Sequence, residues 1–286
     1  MQQLYDQYRG LLFNLAYQLT GSVSDAEDVV QDVFLKAYDV PPEKLAQPKA
    51  YLCKMVANRC KDLYKSARRK REQYVGEWLP EPYLSSEDDG MEAVVRDDLL
   101  SYATLVLLER LSPAERTVFV LREALGFDFK EIADLIDKSE VNCRKLLSRA
   151  RSKMGIASEE AVRPEGDDRE WARAFVEALK QGDLNRILSM LDQDVVLVAD
   201  GGGKVSAAIN PIIMPERVAN LLLGSLRTAS IVEGIPLIEL GSINGQPGVM
   251  LRSKEGVHTV AMLHAEGDRI RNVYIIRNPD KLHHVG

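Results

Sequence analysis

Apolar side chains return every three or four positions through residues 1–72, the spacing that puts them on one face of an α-helix. A break at Thr20 separates a first helix from a second, at whose start Ser24 and Glu27 are predicted to form a capping box. A third helix is predicted to begin after Pro48. The pattern therefore indicates a first part that is entirely helical.

Helical spacing resumes over residues 96–156. Ser112-Pro113-Ala114-Glu115 combines a capping box with proline at the first helical position, which is a strong helix start. Further on, a short helix over 129–136, a turn over 137–139 and a longer helix over 140–154 form a helix-turn-helix pattern. In that motif the second helix enters the DNA major groove. The residues predicted to be buried where the two helices cross are Ile132, Ile136, Val141, Leu146 and Ala150.

The pattern changes over residues 168–286. Two helices, a strand ending at Ala199 and a helix from Pro215 to about Ala229 are followed by alternating stretches separated by hairpin turns. The predicted strands of this last stretch are Ile231–Leu240, Gly248–Ser253, Val257–Ala265 and Arg269–Arg277. Helices followed by a curved antiparallel sheet predict an α+β cone, a shape that usually encloses a cavity.

Two linkers separate these parts, one over residues 73–95 and one over 157–167. The first is acidic and weakly periodic, yet it contains Trp78-Leu79-Pro80-Glu81-Pro82. A flexible tether has no need of a tryptophan, so this stretch is expected to dock on another part of the protein. The predicted chain is multidomain, with two all-α parts followed by the α+β cone.

Composition agrees with a globular protein of two or three domains, since the 286 residues are 45% hydrophobic and 28% charged. No apolar run approaches the roughly 20 residues that span a bilayer, and the N-terminus does not have the form of a secretory signal. The odd number of cysteines, Cys53, Cys60 and Cys143, argues against a disulfide framework. We therefore expect a cytoplasmic protein.

Charge is segregated along the chain, although the formal net charge is only -6. Residues 54–71 carry a net charge of +7 and residues 138–153 a net charge of +5, whereas residues 77–98 between them carry -7. Either basic block alone could be an ordinary solvated face. Two basic blocks flanking an acidic stretch favour two nucleic-acid surfaces joined by a segment that DNA repels.

Both basic helices carry side chains suited to DNA. The first offers phosphate contacts and base-edge hydrogen bonds for single-stranded DNA from Lys54, Asn58, Arg59, Lys61 and Asp62. In the second, the residues where base edges are read are Glu140, Asn142, Cys143, Arg144 and Lys145, and Arg149 and Arg151 suit phosphates.

In combination, these features resemble the extracytoplasmic-function (ECF) sigma factors of bacterial RNA polymerase. Residues 25–34 look like region 2.2, residues 51–71 like regions 2.3 and 2.4, and residues 112–154 like region 4. The resemblance implies that residues 51–71 melt and read the −10 element. It implies that residues 112–154 read the −35 element and touch the β flap. It also implies docking on the β′ clamp helices of core polymerase through Glu27, Asp28, Gln31, Asp32 and Phe34.

Three short motifs sharpen the resemblance to a group of these factors with a fused SnoaL-like domain. They are Trp78-Leu79-Pro80-Glu81-Pro82, Asp200-Gly201-Gly202-Gly203-Lys204 and Asn278-Pro279-Asp280-Lys281-Leu282. In that group the C-terminal domain is taken to replace a separate anti-sigma factor, which implies a regulatory role for these residues. The three glycines would let the backbone approach a partner closely, and Lys204 is expected to meet the acidic linker.

Other functions stay open at this point. SnoaL relatives include cyclases and isomerases, for which Asp200, His258 and His264 are the candidate general bases, and the cone could instead sense a small molecule. A one-component repressor would leave residues 1–72 without a role. No second ligand pair accompanies Cys53 and Cys60, and no cofactor fingerprint is found, so neither metal nor cofactor is expected. We expect a monomer, with His283-His284 in a tail.

Overall fold

The computed structural model describes residues 2–41, 47–84, 100–156, 169–232 and 237–285. The chain forms two compact units. The helical unit comprises Met1–Glu72 and Ser86–Pro164, and the cone unit comprises Gln73–Ser85 and Glu165–Gly286. Most of the acidic linker and the whole second linker lie outside the described residues. The piece of the first linker that contains the tryptophan motif belongs to the cone unit.

The helical unit is built from two groups of helices, one before the first linker and one after it. The first group is α1 (Gln2–Thr20), α2 (Val23–Tyr38) and α3 (Pro48–Glu72), and the second is α4 (Tyr102–Leu107), α5 (Pro113–Phe119), α6 (Phe129–Ile136) and α7 (Glu140–Met154). A 3-10 turn over Leu108–Arg110 and a π turn over Val120–Ala124 follow α4 and α5 respectively. Buried apolar side chains from both groups, such as Leu15, Leu52 and Phe119, form the core.

The start of α2 differs from the prediction. Its N-cap is Ser22, whose hydroxyl accepts a hydrogen bond from the Asp25 amide at 3.2 Å, and Ser24 lies within the first turn. Val23 is buried, and burial of its apolar side chain stabilises a helix that includes it. The helix therefore begins ahead of the predicted capping box. The capping box predicted from Ser24 and Glu27 is therefore wrong.

The helix-turn-helix has the predicted bounds, and the Ser112–Glu115 capping box with Pro113 is confirmed. Asp137 in the turn adopts a left-handed conformation, with φ of 54°. The prediction that Val141 is buried is wrong, since 63% of it is exposed. Cys143 is buried in α7 instead, and it lies roughly 200° around the helix from Val141.

The cone unit contains helices, a six-stranded sheet and a final 3-10 turn. Its elements are α8 (Arg169–Gln181), α9 (Leu184–Met190), β1 (Leu191–Asp200), β2 (Ile212–Ile213), α10 (Pro215–Val232), β3 (Leu237–Ile243), β4 (Gln246–Ser253), β5 (Gly256–Glu266), β6 (Arg269–Ile276) and the turn Pro279–Lys281. The strand order is β2-β1-β6-β5-β4-β3. Register shifts in β1, β4 and β5 bend the sheet.

The sheet differs from the prediction in three details. Strands β3 to β6 pair in antiparallel fashion as predicted, but β1 runs parallel to β6, so the sheet is mixed. The strand predicted over Ile231–Leu240 begins only at Leu237. The β-branched Ile231 and Val232 favour a strand locally, yet they end α10. The short strand β2, paired with β1, was not predicted.

One face of the sheet packs against α8, α9 and α10. The cluster includes Phe175 from α8, Ile187 from α9 and Leu222 from α10. Strands β1 and β6 contribute Leu197 and Val273. The antiparallel strands and the helices thus enclose a space of the kind that the sequence predicts for a cone.

Candidate nucleic-acid interfaces and the motif cluster

The exposed face of α2 is acidic and polar. Glu27, Asp28 and Gln31 are exposed, whereas Asp32 accepts hydrogen bonds from Arg59 at 2.9 Å. Phe34 is partly buried and packs edge to face on Tyr5, with ring centroids 4.9 Å apart. Of the five predicted partner-binding residues, three are therefore open to solvent in this conformation.

Two large side chains on the same helix were missed by the sequence analysis. Leu35 is 64% exposed and Tyr38 is 74% exposed. Both continue the exposed stripe that runs through Asp28 and Gln31 at helical spacing. An acidic stripe that ends in exposed apolar side chains has the chemistry of a protein-binding surface. The signal available in the sequence was the same spacing that places Asp28 and Gln31 together.

Helix α3 divides its predicted DNA-binding residues into an exposed and a paired set. Asn58, Lys61 and Asp62 are exposed. Lys54 Nζ lies 2.6 Å from Asp137 Oδ1 and donates to the carbonyl of Asp134 at 3.1 Å. The side chains of the basic residues from 65 to 72 lie outside the description.

The pair of Lys54 and Asp137 joins the two candidate DNA surfaces, because Asp137 lies in the turn of the helix-turn-helix. A buried cation, Arg116, also holds the two groups of helices together. Its Nη1 donates to the carbonyl of Leu19 at 2.9 Å, and its Nη2 pairs with Glu109. The helical unit is therefore closed, with α3 against the helix-turn-helix.

The exposed face of α7 is predominantly basic. Ser139 caps the helix, and the predicted base-reading residues Glu140, Asn142, Arg144 and Lys145 are exposed, as is Arg149. The Arg144 guanidinium lies 4.2 Å from the ring centroid of Phe129 and 3.5 Å from Glu140. Stacking on an aromatic ring restricts the guanidinium without neutralising it, which suits a residue that reads bases.

Two predicted α7 residues do not belong to that face. Cys143 is fully buried, so it packs against the rest of the motif and has no access to DNA. Arg151 donates two hydrogen bonds to Glu123, the shorter 2.9 Å, with 15% of its side chain exposed. Its assignment to phosphates is withdrawn, because its guanidinium is engaged in packing α7. Val141, which was predicted to be buried, lies exposed beside the base-reading residues.

The three short motifs meet around Asp200, at the end of β1. This carboxylate is buried, and its Oδ1 accepts from the Tyr74 hydroxyl at 2.6 Å and from the Gly202 amide at 3.0 Å. Its Oδ2 accepts from the Leu79 amide at 2.9 Å and from Lys281 Nζ at 2.7 Å. Asp200 thus binds residues from all three motifs and from the start of the first linker. We call this group the motif cluster.

Lys281 completes the motif cluster. Its ammonium group also donates to the carbonyl of Leu79 and lies 4.0 Å from the ring centroid of Trp78, a cation–π contact. The ring centroid of Tyr74 lies 5.1 Å from the same ammonium group. Burial and the hydrogen bond to Asp200 raise the pKa of Tyr74 above its ordinary value, so its hydroxyl is held as a donor. The tryptophan of the first linker is therefore ordered by Lys281.

The three glycines allow the close approach that the sequence predicts. Gly202 and Gly203 have φ of +62° and +70°, and a Cβ at Gly202 would overlap the side chain of Asn278. A Cβ at Gly203 would lie 3.0 Å from Val75, and one at Gly201 would overlap the carbonyl of Val205. A side chain at Gly202 or Gly203 would push the last motif or the first linker away, and one at Gly201 would displace the chain around Val205.

The remaining motif residues also make contacts within the cone unit. Asn278 donates to the Tyr74 hydroxyl at 2.7 Å, and Leu79 to Pro82 are buried. The prediction that Lys204 meets the acidic linker is not what the structure has, since Lys204 pairs with Asp280 at 2.6 Å. His284 is not in a free tail, because its Nε2 lies 2.8 Å from the carbonyl of Pro82. Pro279 begins the 3-10 turn that carries Lys281, and Leu282 ends it as the C-cap.

The candidate general bases are not gathered in one place. Asp200 is engaged in the motif cluster, and neither it nor His264 lines the cavity of the cone unit. His258 does line that cavity, with its Nδ1 3.0 Å from Thr259 Oγ1. The acid–base arrangement that a cyclase or isomerase would need is therefore not assembled from these three residues.

The cysteines are buried free thiols. Burial raises the pKa of both Cys53 and Cys60 to about 12, which makes them poor nucleophiles at neutral pH. Across the described ranges, no cluster of three or more metal-ligating side chains is found. No helix among the described residues is both long and apolar enough to cross a membrane.

Family comparisons match both halves of the helical unit. Residues 4–70 match the family described as Sigma-70 region 2, and residues 103–154 match Sigma-70, region 4. The ECF RNA polymerase sigma factor SigJ of Mycobacterium tuberculosis is 32% identical over 292 residues, covering 97% of this chain and 91% of SigJ. A probable ECF sigma factor of the same species, SigI, is 30% identical and covers 96% of this chain and 92% of its own.

The likeness extends to the structure and includes the cone unit. The crystal structure of SigJ from Mycobacterium tuberculosis superposes with a TM-score of 0.79 at 28% sequence identity. The superposition covers 99% of this chain and 98% of that one. The order of helical unit and C-terminal α+β unit is thus shared along the whole chain.

Proposed function

Because the chain belongs to the ECF sigma factors of RNA polymerase, we propose specific roles for three surfaces of its helical unit and for its motif cluster. The protein is a sigma factor: it acts with RNA polymerase core on promoter DNA to start transcription, and its action is stoichiometric. The surfaces of the helical unit divide this task among them.

The stripe on α2 is the proposed core-binding surface. Glu27, Asp28 and Gln31 supply charge and hydrogen bonds, and Leu35 and Tyr38 supply apolar area at the same edge. Basic side chains on the β′ clamp helices would complement the acidic part. Asp32 and Phe34 support the surface from behind through Arg59 and Tyr5.

The exposed side of α3 is proposed to hold the unpaired −10 strand, with Asn58 reading base edges and Lys61 on phosphates. Asp62 lies beside them and can accept from exocyclic amino groups. Captured bases offset the cost of unstacking, a few kcal/mol per step, so strand opening is coupled to their binding. Lys54 joins this surface once it leaves Asp137.

The exposed face of α7 is proposed to read the −35 element, and it is the single observation that carries the DNA-binding assignment. A helix capped by Ser139 presents Arg144 and Lys145 in its first turn and a half, directly after the turn of the motif. Val141 adds an apolar contact of the kind that recognises a thymine methyl group. Region 4 is also the part proposed to touch the β flap.

The motif cluster is proposed to be a built-in restraint on the sigma regions, in place of a separate anti-sigma factor. Residues 73–84 connect α3 to the later helices and are held in the cone unit by Asp200 and Lys281. While they are held, these 12 residues cannot extend, whereas a free segment of this length could add at most about 40 Å between α3 and α4. Release of the segment would therefore favour simultaneous binding of both elements.

Transcription with core polymerase tests the whole proposal. Full-length protein should start transcription at promoters that share two elements, and Lys281→Ala should raise the output about threefold or more by freeing the segment. The matched control is Lys204→Ala, which removes an exposed lysine of the glycine motif that does not contact Asp200. Equal output from both variants and the parent would overturn the restraint. Loss of core binding by every variant would overturn the polymerase assignment instead.

A further inference from the structure

The cone unit contains a cavity of about 680 Å³ between the sheet, α8 and α10. Val249, Ala261 and Ile275 are direct neighbours across β4, β5 and β6, and all three line it. Phe175 and Leu222 close it from the helices. Its size lies within the range of roughly 300–1,000 Å³ that is typical of small-molecule sites.

The lining is apolar over the body of the cavity and polar at a few points. His258 and Thr259 form one polar point on β5, and Asn220 lies on α10. Among the lining residues that the structure describes, Arg277 is the only lysine or arginine, and none is aspartate or glutamate. An apolar chamber with one fixed positive charge selects against cations and favours a single negative charge.

Arg277 lies directly after β6, and its charge is not neutralised by a carboxylate within the described part of the chain. Its Nη1 donates to the carbonyl of Ser206 at 2.6 Å. A guanidinium has five N–H donors, so several remain for a ligand. Because its partner is a neutral carbonyl, an anion would gain a charge-assisted hydrogen bond here.

We propose that this cavity binds a small molecule with a mainly apolar body and one anionic group, such as a carboxylate, which Arg277 holds. The apolar body fills the space lined by Val249, Ala261 and Ile275. The anionic group takes its hydrogen bonds from the guanidinium. Nothing in this proposal involves a reaction of the ligand.

The anion site is directly continuous with the motif cluster. The backbone amide of Arg277 donates to the carbonyl of Asp200 at 2.8 Å, and the next residue is Asn278 of the last motif. Ser206, which Arg277 contacts, follows the glycine motif in sequence. A ligand that repositions the guanidinium therefore acts on the ends of β1 and β6. These ends carry the residues that hold the segment 73–84. Ligand binding by this cavity is separate from the sigma function and does not depend on the restraint.

Two dyes with one ring system test the ligand class on the full-length chain. 1-Anilinonaphthalene-8-sulfonate carries an anionic group, and N-phenyl-1-naphthylamine is its uncharged parent. Fluorescence titration should give tighter binding of the anionic dye. Arg277→Gln should weaken that dye about 10-fold or more and change the neutral dye by less than about twofold. Arg277→Lys should keep part of the preference, because it keeps the charge.

Arg271→Gln is the matched control, since Arg271 lies on β6, the strand that Arg277 follows, outside the cavity, and pairs with Asp192. It should leave both affinities unchanged. Ala261→Trp places an indole in the space that the apolar body would occupy and should weaken binding of both dyes, with circular dichroism to report folding. Dodecanoate should displace the anionic dye from the parent protein, and 1-dodecanol should do so only at about 10-fold higher concentration.

Three results would overturn the proposal. Anionic dye that binds Arg277→Gln as tightly as the parent shows that Arg277 is not the anion site. If the anionic dye binds folded Ala261→Trp as tightly as the parent, its binding site lies elsewhere on the chain. Equal displacement by the carboxylate and the alcohol shows an apolar pocket without anion selectivity. None of these results bears on core binding or transcription, so they are separable from failure of the sigma assignment.

Discussion

Asp200 and Lys281 form an ion pair at 2.7 Å in which both partners are removed from water, with 0% and 6% of their side chains exposed. Removing two charges from water costs several kcal/mol for each ion, and this is recovered only with good geometry and further hydrogen bonds. The pair has such bonds, from Tyr74 and Leu79 to the carboxylate and from the ammonium to Leu79. The two charges therefore stabilise the fold only together, and either charge buried without the other destabilises it.

Lys281→Ala should destabilise the cone unit by about 3–5 kcal/mol, because it leaves the Asp200 charge buried without its partner. Lys204→Ala should cost less than about 1 kcal/mol, since the pair of Lys204 and Asp280 is exposed. Urea unfolding followed by Trp78 fluorescence in a Trp171→Phe background measures both. Similar losses in the two variants would contradict the dependence on burial. A double variant Asp200→Asn/Lys281→Met should recover part of the loss.

Asp137→Asn should raise affinity for promoter DNA about two- to fivefold at low salt, because Lys54 is then free to bind phosphate. Asparagine tolerates the left-handed conformation at this position, so the turn is kept. The pair is more than a third exposed on both sides, so stability should change by less than about 0.5 kcal/mol.

Asp134→Asn is the control for that change, because only the backbone carbonyl of Asp134 contacts Lys54. It removes the same charge from the same motif and should leave the Lys54 contact in place. Salt titrations of binding to a fluorescent promoter duplex compare the two. If both variants gain affinity equally, the gain comes from net charge and not from Lys54.

Arg144→Ala and Arg151→Ala should have different effects although both lie on α7. Arg144 is exposed, so its loss should weaken binding of the upstream element by about 1–3 kcal/mol without unfolding the protein. Arg151 is engaged with Glu123, so its loss should lower the melting temperature and spare specificity. Competition binding against altered upstream sequences, alongside thermal unfolding, distinguishes them. Loss of specificity in Arg151→Ala would return that residue to the DNA-binding set.

Asp28→Lys should weaken binding to core polymerase about 10-fold or more, since it reverses a charge in the acidic part of the α2 stripe. Asp6→Lys is the matched control, an exposed reversal on α1 outside the stripe. Leu35→Ser should also weaken core binding if the apolar end of the stripe contributes. Fluorescence anisotropy with labelled sigma factor gives the affinities, and normal binding by Asp28→Lys would reject the surface.

Acid should weaken the helical unit partly through Glu115. Burial would raise the pKa of this carboxyl, but hydrogen bonds from Lys153 and Ser112 outweigh burial and hold it below its ordinary value. A carboxyl whose pKa is lower in the folded than in the unfolded chain stabilises the fold at pH values above its unfolded pKa. This contribution is lost as the pH falls through its folded pKa. Glu115→Gln should therefore lower stability at pH 7 and flatten its decline below about pH 4. Glu131→Gln, in an exposed capping box, should show a much smaller effect.

Local signals predicted the helical elements well. The bounds of α6 and α7 follow from capping residues within a few positions, which a sequence displays directly. The burial of Cys143 and the pairing of Arg151 depend on Glu123 and on how α7 rotates against its neighbours. Those are choices of packing that no short stretch contains.

The motif cluster shows the same limit from another side. The three motifs were visible as sequence, but Asp200 meets Leu79 and Lys281 across separations of 121 and 81 residues. Charge complementarity suggested the acidic linker for Lys204, yet Asp280 is nearer once the sheet has formed. The sequence could predict which residues were special, and folding decides which of them are paired.

The order of synthesis gives the placement of residues 73–84 a consequence in time. They leave the ribosome after α3, whereas Lys281, which orders Trp78, follows about 200 residues later. At roughly 5–20 residues per second, the segment waits on the order of 10–40 s for its partner. Each newly made chain therefore passes through an interval in which α1 to α7 exist and residues 73–84 are still unrestrained.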